Sequence, residues 1–538
     1  MRQSTAFIRI SAMTPVMISC FTLAACGSGD PKPPPSAPAE NAISSLHAET
    51  PGIAWFDGNV DAAFAAAKAS NKPVLLYWGA EWCPPCKQLK SAVFSRPDFI
   101  EKSKLFVAVH LDGDQPDAQK YGDEFRVTGY PTVVVFKPDR TEITRIAGNM
   151  DLSLYAGVLD NALGDVRPVK DVIELAVKGD APLAADDCRR LAYHAFGLED
   201  DGVFPAAKLQ TAFENAARTC PADLGKERAR LHIRAAEAAT SQQKDAIANG
   251  AKADKALTVD IVRVNEILTN KEYALANADA LRGLREEFFL AARRTLPQLA
   301  PTLRERWMSI ADAATANPDF APADQLAAQL MKIAAAKAYA ADSKVPTDVR
   351  SVALATAEKM LAVKQEPYVR AGVVNSAINI YIALDDWERA RDLLALEATT
   401  SNTPHYYLGD LADVEEHLGN KQRSVELLAE AYAKAKGPAS RFQWGYQYLD
   451  GLLRLTPDDL PTIQKVGLQV VGELDGPNRI HRRTLSRLTK LDQKLREWNT
   501  TGAREAVSAK LRSQVAQTCT KAADDSVTEG GCRAFRAG

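Results

Sequence analysis

Two cysteines separated by two residues lie where the sequence predicts that a strand gives way to a helix. The motif Trp-Cys-Pro-Pro-Cys-Lys spans residues 82–87, directly after the apolar run at 73–78 and before a helical pattern at 88–94. A cysteine at the start of a helix lies beside unpaired backbone N–H groups, which favour its thiolate form. We therefore expect Cys83 to attack a disulfide and Cys86 to release the mixed disulfide as an internal one.

Other uses of a Cys-x-x-Cys pair fit this sequence less well. A structural zinc site needs a second pair of thiolates or imidazoles, and the remaining cysteines form no second Cys-x-x-Cys. Position 87 is Lys rather than the His of a c-type haem attachment motif. We expect neither a metal nor a cofactor here, and the remaining alternative is a structural or degenerate dithiol.

A second motif follows further along the chain, where Gly-Tyr-Pro-Thr at 129–132 leads into the apolar run 133–136. With both motifs present, residues 53–164 resemble the thioredoxin family, which places a cis-proline loop opposite its two sulfurs. The resemblance implies that Pro131 is this cis-proline and presents an extended client segment. An ordinary proline at a strand entry is the alternative. The resemblance gives supporting roles to Tyr77, Trp82, Pro84, Pro85, Lys87, Tyr130 and Thr132.

The predicted elements of this region alternate between strands and helices, which indicates a mixed α/β sheet. The turn-forming run at 137–140 indicates that the last two strands form a hairpin. We predict helices at 61–70, 86–94 and 118–125 and strands at 74–78, at 105–111, around Val133 and around Ile143.

One position departs from the family pattern. Thioredoxins and many related reductases bury an acidic residue six positions before the first active cysteine, and that position here is Tyr77. Glu81 is closer in sequence, but it precedes the Trp82-Cys83 turn and is expected to be exposed. The proton acceptor for Cys86 is therefore a phenol, a water molecule or no dedicated base.

The first 25 residues resemble a bacterial lipoprotein signal peptide, with Arg2 and Arg9 ahead of an apolar stretch that ends in Leu-Ala-Ala-Cys-Gly. The apolar stretch is too short for a membrane-spanning helix. We expect Cys26 to carry lipid and residues 26–50, which are rich in proline, to form an extended tether. A plain cleaved signal peptide is the alternative. The predicted location is the cell envelope, facing the periplasm, with Gly27 slightly favouring the outer membrane.

Four more cysteines remain once the signal, the lipid anchor and the dithiol are assigned. An oxidising compartment and an even number indicate two structural disulfides. We favour pairs that are close in sequence, although free buried thiols are the alternative. The favoured pairs are Cys188 with Cys220 and Cys519 with Cys532.

Residues 166–538 form the second predicted domain, after an α/β domain at 51–165. Apolar residues recur at helical spacing, and the segment 384–394 aligns with 418–428 at an offset typical of tetratricopeptide repeats. We predict an all-α, tetratricopeptide-like solenoid, because such units bury their apolar faces only by stacking.

Individual side chains of this helical region give weaker signals. Five aromatic residues are interpreted as core residues, with a groove lining as the alternative: Tyr406, Tyr407, Trp444, Tyr446 and Tyr448. The basic cluster of Arg479, His481, Arg482 and Arg483 is predicted to be a solvated helix face. A net charge of −2 gives no reason to expect nucleic acid. The Asp-Gly-Asp run at 112–114 is interpreted as a turn.

Taken together, the sequence predicts a lipid-anchored thiol:disulfide oxidoreductase of the bacterial envelope that reduces client disulfides. Such an enzyme needs disulfide-containing clients and a membrane-linked electron donor. One alternative is a binding or assembly lipoprotein whose helical repeats are functional and whose α/β domain is a scaffold. A disulfide isomerase or oxidase is the second alternative.

Overall fold

The computed structural model describes residues 52–115, 118–127, 129–147, 155–163, 167–196, 204–475, 480–499, 502 and 504–521. The predicted signal peptide, the tether, Cys26 and Cys532 lie outside these residues.

The N-terminal part is an α/β domain built on a four-stranded sheet. Its elements are α1 (Val60–Ser70), β1 (Val74–Gly79), α2 (Pro84–Leu89), a π-helical turn (Lys90–Phe94), α3 (Pro97–Ser103), β2 (Val107–Asp112), α4 (Ala118–Glu124), β3 (Thr132–Phe136), β4 (Glu142–Ala147) and α5 (Tyr155–Asn161). The predicted fold class is confirmed, and helix α3 is an addition to the predicted elements.

The strand order is β2-β1-β3-β4, with β1 parallel to β2 and antiparallel to β3, and with β3 antiparallel to β4. Strand β1 is central and fully buried, which explains its continuous apolar sequence. Alternate side chains face opposite sides, so Leu75 and Tyr77 join one core while Leu76 and Trp78 join the other. This arrangement fixes the end of β1, where the dithiol motif begins.

The rest of the described chain is helical, which confirms the predicted change of fold class. Its helices are α6 (Val169–Lys178), α7 (Ala185–Tyr193), α8 (Ala206–Thr219), α9 (Gly225–Ala248), α10 (Lys255–Ile267), α11 (Lys271–Leu275), α12 (Ala278–Leu281), α13 (Glu286–Thr295), α14 (Ala300–Thr315), α15 (Pro322–Tyr339), α16 (Thr347–Ala362), α17 (Pro367–Ala383), α18 (Trp387–Thr400), α19 (Pro404–His417), α20 (Lys421–Lys434), α21 (Pro438–Leu455), α22 (Leu460–Gly472), α23 (Arg482–Trp498) and α24 (Glu505–Lys521).

Successive helices from α17 to α22 pack against one another and share one apolar core. The starts of α18 and α20, Trp387 and Lys421, have the same offset as the sequence repeat. The tetratricopeptide assignment itself stays a prediction. Among the described residues, no helix combines the length and apolar character needed to cross a membrane.

The helical region contacts the α/β domain near its start and again further along the chain. Just after α7, the backbone N–H of Ala195 donates to the carbonyl of Arg145 in β4. Further along, α17 packs on α2 and on the π-helical turn, where a Cβ on Gly372 would lie 3.1 Å from the Gln88 side chain. The chain therefore returns to the helix that carries the cysteine motif.

A disulfide joins Cys188 in α7 to Cys220 at the end of α8, which is the pairing that the sequence favours. Both residues are buried in the core that α6, α7, α8 and α9 share. Cys519 is also disulfide-bonded, and its predicted partner lies outside the described residues. The Cys188–Cys220 bond therefore holds α7 to the end of α8.

The Cys188–Cys220 bond closes a loop of 32 residues, so its loss should destabilise the protein by about 3–4 kcal/mol. We predict this decrease in the free energy of unfolding for the double variant Cys188→Ala/Cys220→Ala, measured by urea denaturation. An unchanged denaturation midpoint would contradict a stabilising role.

Candidate functional site

Cys83 caps the N-terminus of α2, immediately beyond the end of β1. Its sulfur accepts a hydrogen bond from the backbone N–H of Cys86, with a separation of 3.2 Å. Pro84 and Pro85 occupy the first helical positions, where a missing N–H costs nothing and a fixed φ favours the helix. The motif therefore places both sulfurs at one helix end, and both cysteines are free thiols.

The dithiol is buried. The exposed fractions are 3% for Cys83 and 0% for Cys86. Burial raises the pKa of the Cys83 thiol well above its ordinary value, outweighing the stabilising hydrogen bond from the Cys86 N–H and the charge of Lys87. In this conformation desolvation disfavours the charged form of Cys83 more than the helix end favours it. The attacking role of Cys83 stays a prediction.

The loop at 129–132 lies against the dithiol. The Tyr130–Pro131 peptide bond is cis, as the family resemblance implies. Tyr130 packs on the small cluster formed by Ala80, Cys83 and Cys86, and its ring stacks on Trp78 at a centroid distance of 5.9 Å. Thr132 is buried, and its hydroxyl donates to the carbonyl of Gly129 at 3.0 Å.

Tyr77 occupies the position of the family's acidic residue but cannot act as the proton acceptor for Cys86. Its side chain is buried, and its hydroxyl has no hydrogen-bond partner of normal geometry among the described residues. Burial, followed by the neighbouring charge of a Cys86 thiolate, raises its pKa well above the ordinary value. A phenol that keeps its proton is not a base, so Tyr77 offers Cys86 no proton acceptor. Glu81 is exposed, as expected, and forms an ion pair with Lys90.

The helical region covers the dithiol through the tryptophan of the motif. The indole Nε1 of Trp82 donates to a carboxylate oxygen of Asp114 at 2.7 Å. The same carboxylate accepts the backbone N–H of Ser440 at 3.0 Å and its hydroxyl at 2.7 Å. Ser440 lies in the first turn of α21. Asp114 is thus more than a turn residue, since it links the two parts of the chain at the site.

Three aromatic side chains of the helical region surround the Trp82 ring. Tyr406 stacks on it at a centroid distance of 6.1 Å, while His405 and Trp444 approach edge-on at 6.3 Å each. His405 and Trp444 are nearly fully buried, with exposed fractions of 6% and 4%. Tyr406 and Trp444 are therefore packing residues, as predicted, but part of what they pack against is the dithiol motif.

Basic residues complete the cover. The guanidinium of Arg483 lies 4.7 Å from the centre of the Tyr130 ring, and His481 Nδ1 lies 3.4 Å from a carboxylate oxygen of Asp123. The prediction of a solvated basic face is wrong for these two, because each contacts the α/β domain. Arg482 is at the start of α23, and Arg479 lies outside the described residues.

On another side of the site, Lys87 Nζ donates to the hydroxyl of Thr403 at 3.2 Å, and burial lowers the pKa of this lysine.

Comparison with known proteins supports the domain assignment. Residues 60–163 match the family model described as a thioredoxin-like domain. Residues 60–163 are a thioredoxin-like domain. The matched residues end before the helical region begins.

Curated proteins with sequence similarity match a fraction of the chain. A thiol:disulfide interchange protein DsbD 1 of Pseudomonas aeruginosa is 30% identical over 139 residues, which are 24% of this chain and 23% of that protein. The DsbD of Cronobacter sakazakii is 35% identical over 126 residues, 23% of this chain and 21% of its own. The chain thus spans less than a quarter of these relatives.

A solved circular tandem repeat protein with a novel repeat topology covers 72% of this chain and 85% of its own, at 14% identity. Its TM-score is 0.16, and we infer nothing from it.

Asp112 precedes Asp114, the residue that contacts Ser440 of the helical region, by two positions. One carboxylate oxygen of Asp112 accepts the N–H of Asp114 at 3.0 Å. Burial raises the pKa of Asp112 from 3.8 to about 6. The folded state therefore disfavours the ionised form of Asp112. As a result, the free energy of unfolding decreases as the pH rises from about 4 to about 6.

We predict that Asp112→Asn increases the free energy of unfolding by roughly 1 kcal/mol at pH 7.5, the full linkage value being reduced by partial exposure. At pH 2.5 the variant and the parent should be nearly equally stable, because Asp112 is then almost fully protonated in both states. Urea denaturation at the two pH values measures the difference. A variant that is less stable at pH 7.5 would contradict this assignment.

Proposed function

We propose that the protein is a thiol:disulfide oxidoreductase that reduces client disulfides with Cys83 and Cys86. The observation that carries the proposal is the pair of free thiols at the N-terminus of α2, packed against the cis-Pro131 loop of a thioredoxin-like domain. Proteins named as thiol:disulfide interchange proteins are similar to about a quarter of the chain, which supports the proposal.

The exchange proceeds in two steps that balance in atoms and electrons. The Cys83 thiolate attacks one sulfur of a client disulfide, forms a mixed disulfide and displaces the other client sulfur as a thiolate, which takes up a proton. Cys86, once deprotonated, then attacks the Cys83 sulfur and displaces the second client sulfur. The client gains two electrons, and the protein is left with a Cys83–Cys86 disulfide.

The oxidised pair has to be reduced again before a second turnover. A dithiol donor that exchanges with the Cys83–Cys86 disulfide supplies the two electrons, and we propose that this donor is linked to the membrane. Reduction of clients is favoured over their oxidation because Pro85 precedes Cys86, as in thioredoxin-like reductases. Isomerase and oxidase activities remain alternatives.

The proposed place of work is the cell envelope. The segment 1–25 has the pattern of a lipoprotein signal, and we propose that Cys26 is lipidated and faces the periplasm, with the outer membrane slightly favoured. The proline-rich residues 26–50 would then act as a tether. An oxidising compartment is consistent with the structural Cys188–Cys220 disulfide.

A second candidate function is suggested by the packing of the helical region over the dithiol. The cover contributes the aromatic side chains around Trp82 and the Ser440 contact to Asp114. In this alternative the helical region binds a partner protein, and the thioredoxin-like domain is a scaffold. In the favoured proposal, the same region recruits or orients the client.

We predict that Cys86→Ala accumulates a mixed disulfide between Cys83 and a disulfide probe, because the resolving thiol is missing. Insulin is a suitable probe, and non-reducing gel electrophoresis with peptide mass spectrometry identifies the linked cysteine. Cys83→Ala is the matched control and should form no adduct, while the parent protein should reduce insulin when a small dithiol recharges it.

A mixed disulfide through Cys86 in the control would reverse the assigned roles. If the parent protein leaves insulin intact while Cys83→Ser keeps its binding partners, the result contradicts the enzyme proposal and supports the scaffold alternative.

A further inference from the structure

We propose that the helical region is a lid that holds the dithiol in a closed, unreactive state and must move away from Trp82 before exchange begins. The inference rests on the proposed function and adds a regulatory step to it. The lid face is defined here as His405 and Tyr406 of α19, Ser440 and Trp444 of α21, and Arg483 of α23.

Burial alone requires such a movement. Attack on a disulfide needs the client sulfur to reach the Cys83 sulfur, and the exposed fraction of Cys83 is 3%. The thioredoxin-like domain covers one side of this residue through Tyr130 and Trp82. The lid face covers the outer side of both rings, with Tyr406 on Trp82 and Arg483 on Tyr130. A folded client therefore has no path to the sulfur in this conformation.

The lid is held by specific polar contacts as well as by apolar packing. Asp114 accepts two hydrogen bonds from Ser440 and one from Trp82. Hydrogen bonds to a carboxylate are stronger than those between neutral groups. The backbone at Gly437 comes so close that a Cβ there would lie 2.6 Å from the Cβ of Asp114. Such contacts define one closed position.

Two buried polar atoms without hydrogen-bond partners among the described residues destabilise the closed position. His405 Nε2 and Trp444 Nε1 are buried without a hydrogen-bond partner among the described residues. An unpaired buried polar atom loses its bonds to water and costs free energy. Lid opening restores those bonds to water while it breaks the Asp114 contacts. The unpaired atoms thus oppose the Asp114 contacts, and a client that binds only the open state shifts the balance toward it.

The test measures how fast iodoacetamide alkylates Cys83 in the reduced full-length protein, with mass spectrometry to identify the modified residue. The lid variants are Ser440→Ala, which loses one hydrogen bond to Asp114, and Tyr406→Ala, which removes the ring stacked on Trp82. Their matched controls are Ser513→Ala, at an exposed serine of α24, and Tyr448→Ala, at a half-buried tyrosine of α21.

We expect Ser440→Ala to alkylate about tenfold faster than the parent, the factor that corresponds to losing one hydrogen bond from the closed state. Tyr406→Ala should alkylate faster by a similar factor, because it loses the aromatic contact with Trp82. The controls should react at the parent rate. Circular dichroism and thermal melting check that every variant is folded, and the conservative Ser440→Ala remains informative if Tyr406→Ala is unstable.

Parent-like rates in both folded lid variants would overturn the lid, and so would fast alkylation of the parent itself. Such a result leaves the oxidoreductase proposal intact if the Cys86→Ala variant still forms its mixed disulfide. Conversely, faster alkylation without any insulin reduction would retain the lid and overturn the proposed function.

Discussion

The carboxylate of Asp114 connects the two parts of this molecule at the place where chemistry is expected. It accepts one hydrogen bond from Trp82 in the cysteine motif and two from Ser440 in the helical region. Burial raises the pKa of Asp114, and these hydrogen bonds favour its charged form. The aromatic contacts around Trp82 and the contact of Arg483 with the Tyr130 ring are made by the helical region in this position.

Two effects compete at Cys83, and their magnitudes decide its state. A helix N-terminus stabilises a negative charge by typically 0.3–1 kcal/mol, which is less than about one pKa unit. Burial acts in the opposite direction and is the larger effect, so the pKa of Cys83 is raised above its ordinary value. The closed conformation therefore keeps Cys83 as a thiol. Exposure of Cys83 would remove the effect of burial, and the helix N-terminus would then favour the thiolate.

The sequence predicted what depends on local pattern. The strand before Cys83, the helix after it, the cis-proline at 131 and the Cys188–Cys220 pair all follow from spacing or from family resemblance. The cover could not be predicted in this way, because Asp114 and Ser440 are 326 positions apart and no local periodicity links them. A cluster of aromatic residues in α19 and α21 was the available signal. This cluster predicts packing, but no local pattern indicates that the packing partner is Trp82.

The most direct test of this account is the pH dependence of Cys83 alkylation in the intact Cys86→Ala variant, which isolates the titration of one thiol. We predict an apparent pKa above the ordinary cysteine value of about 8.5, because burial disfavours the thiolate. An apparent pKa below about 7, in the range of cysteines activated at a helix N-terminus, would contradict the claim that the helical region keeps the dithiol closed.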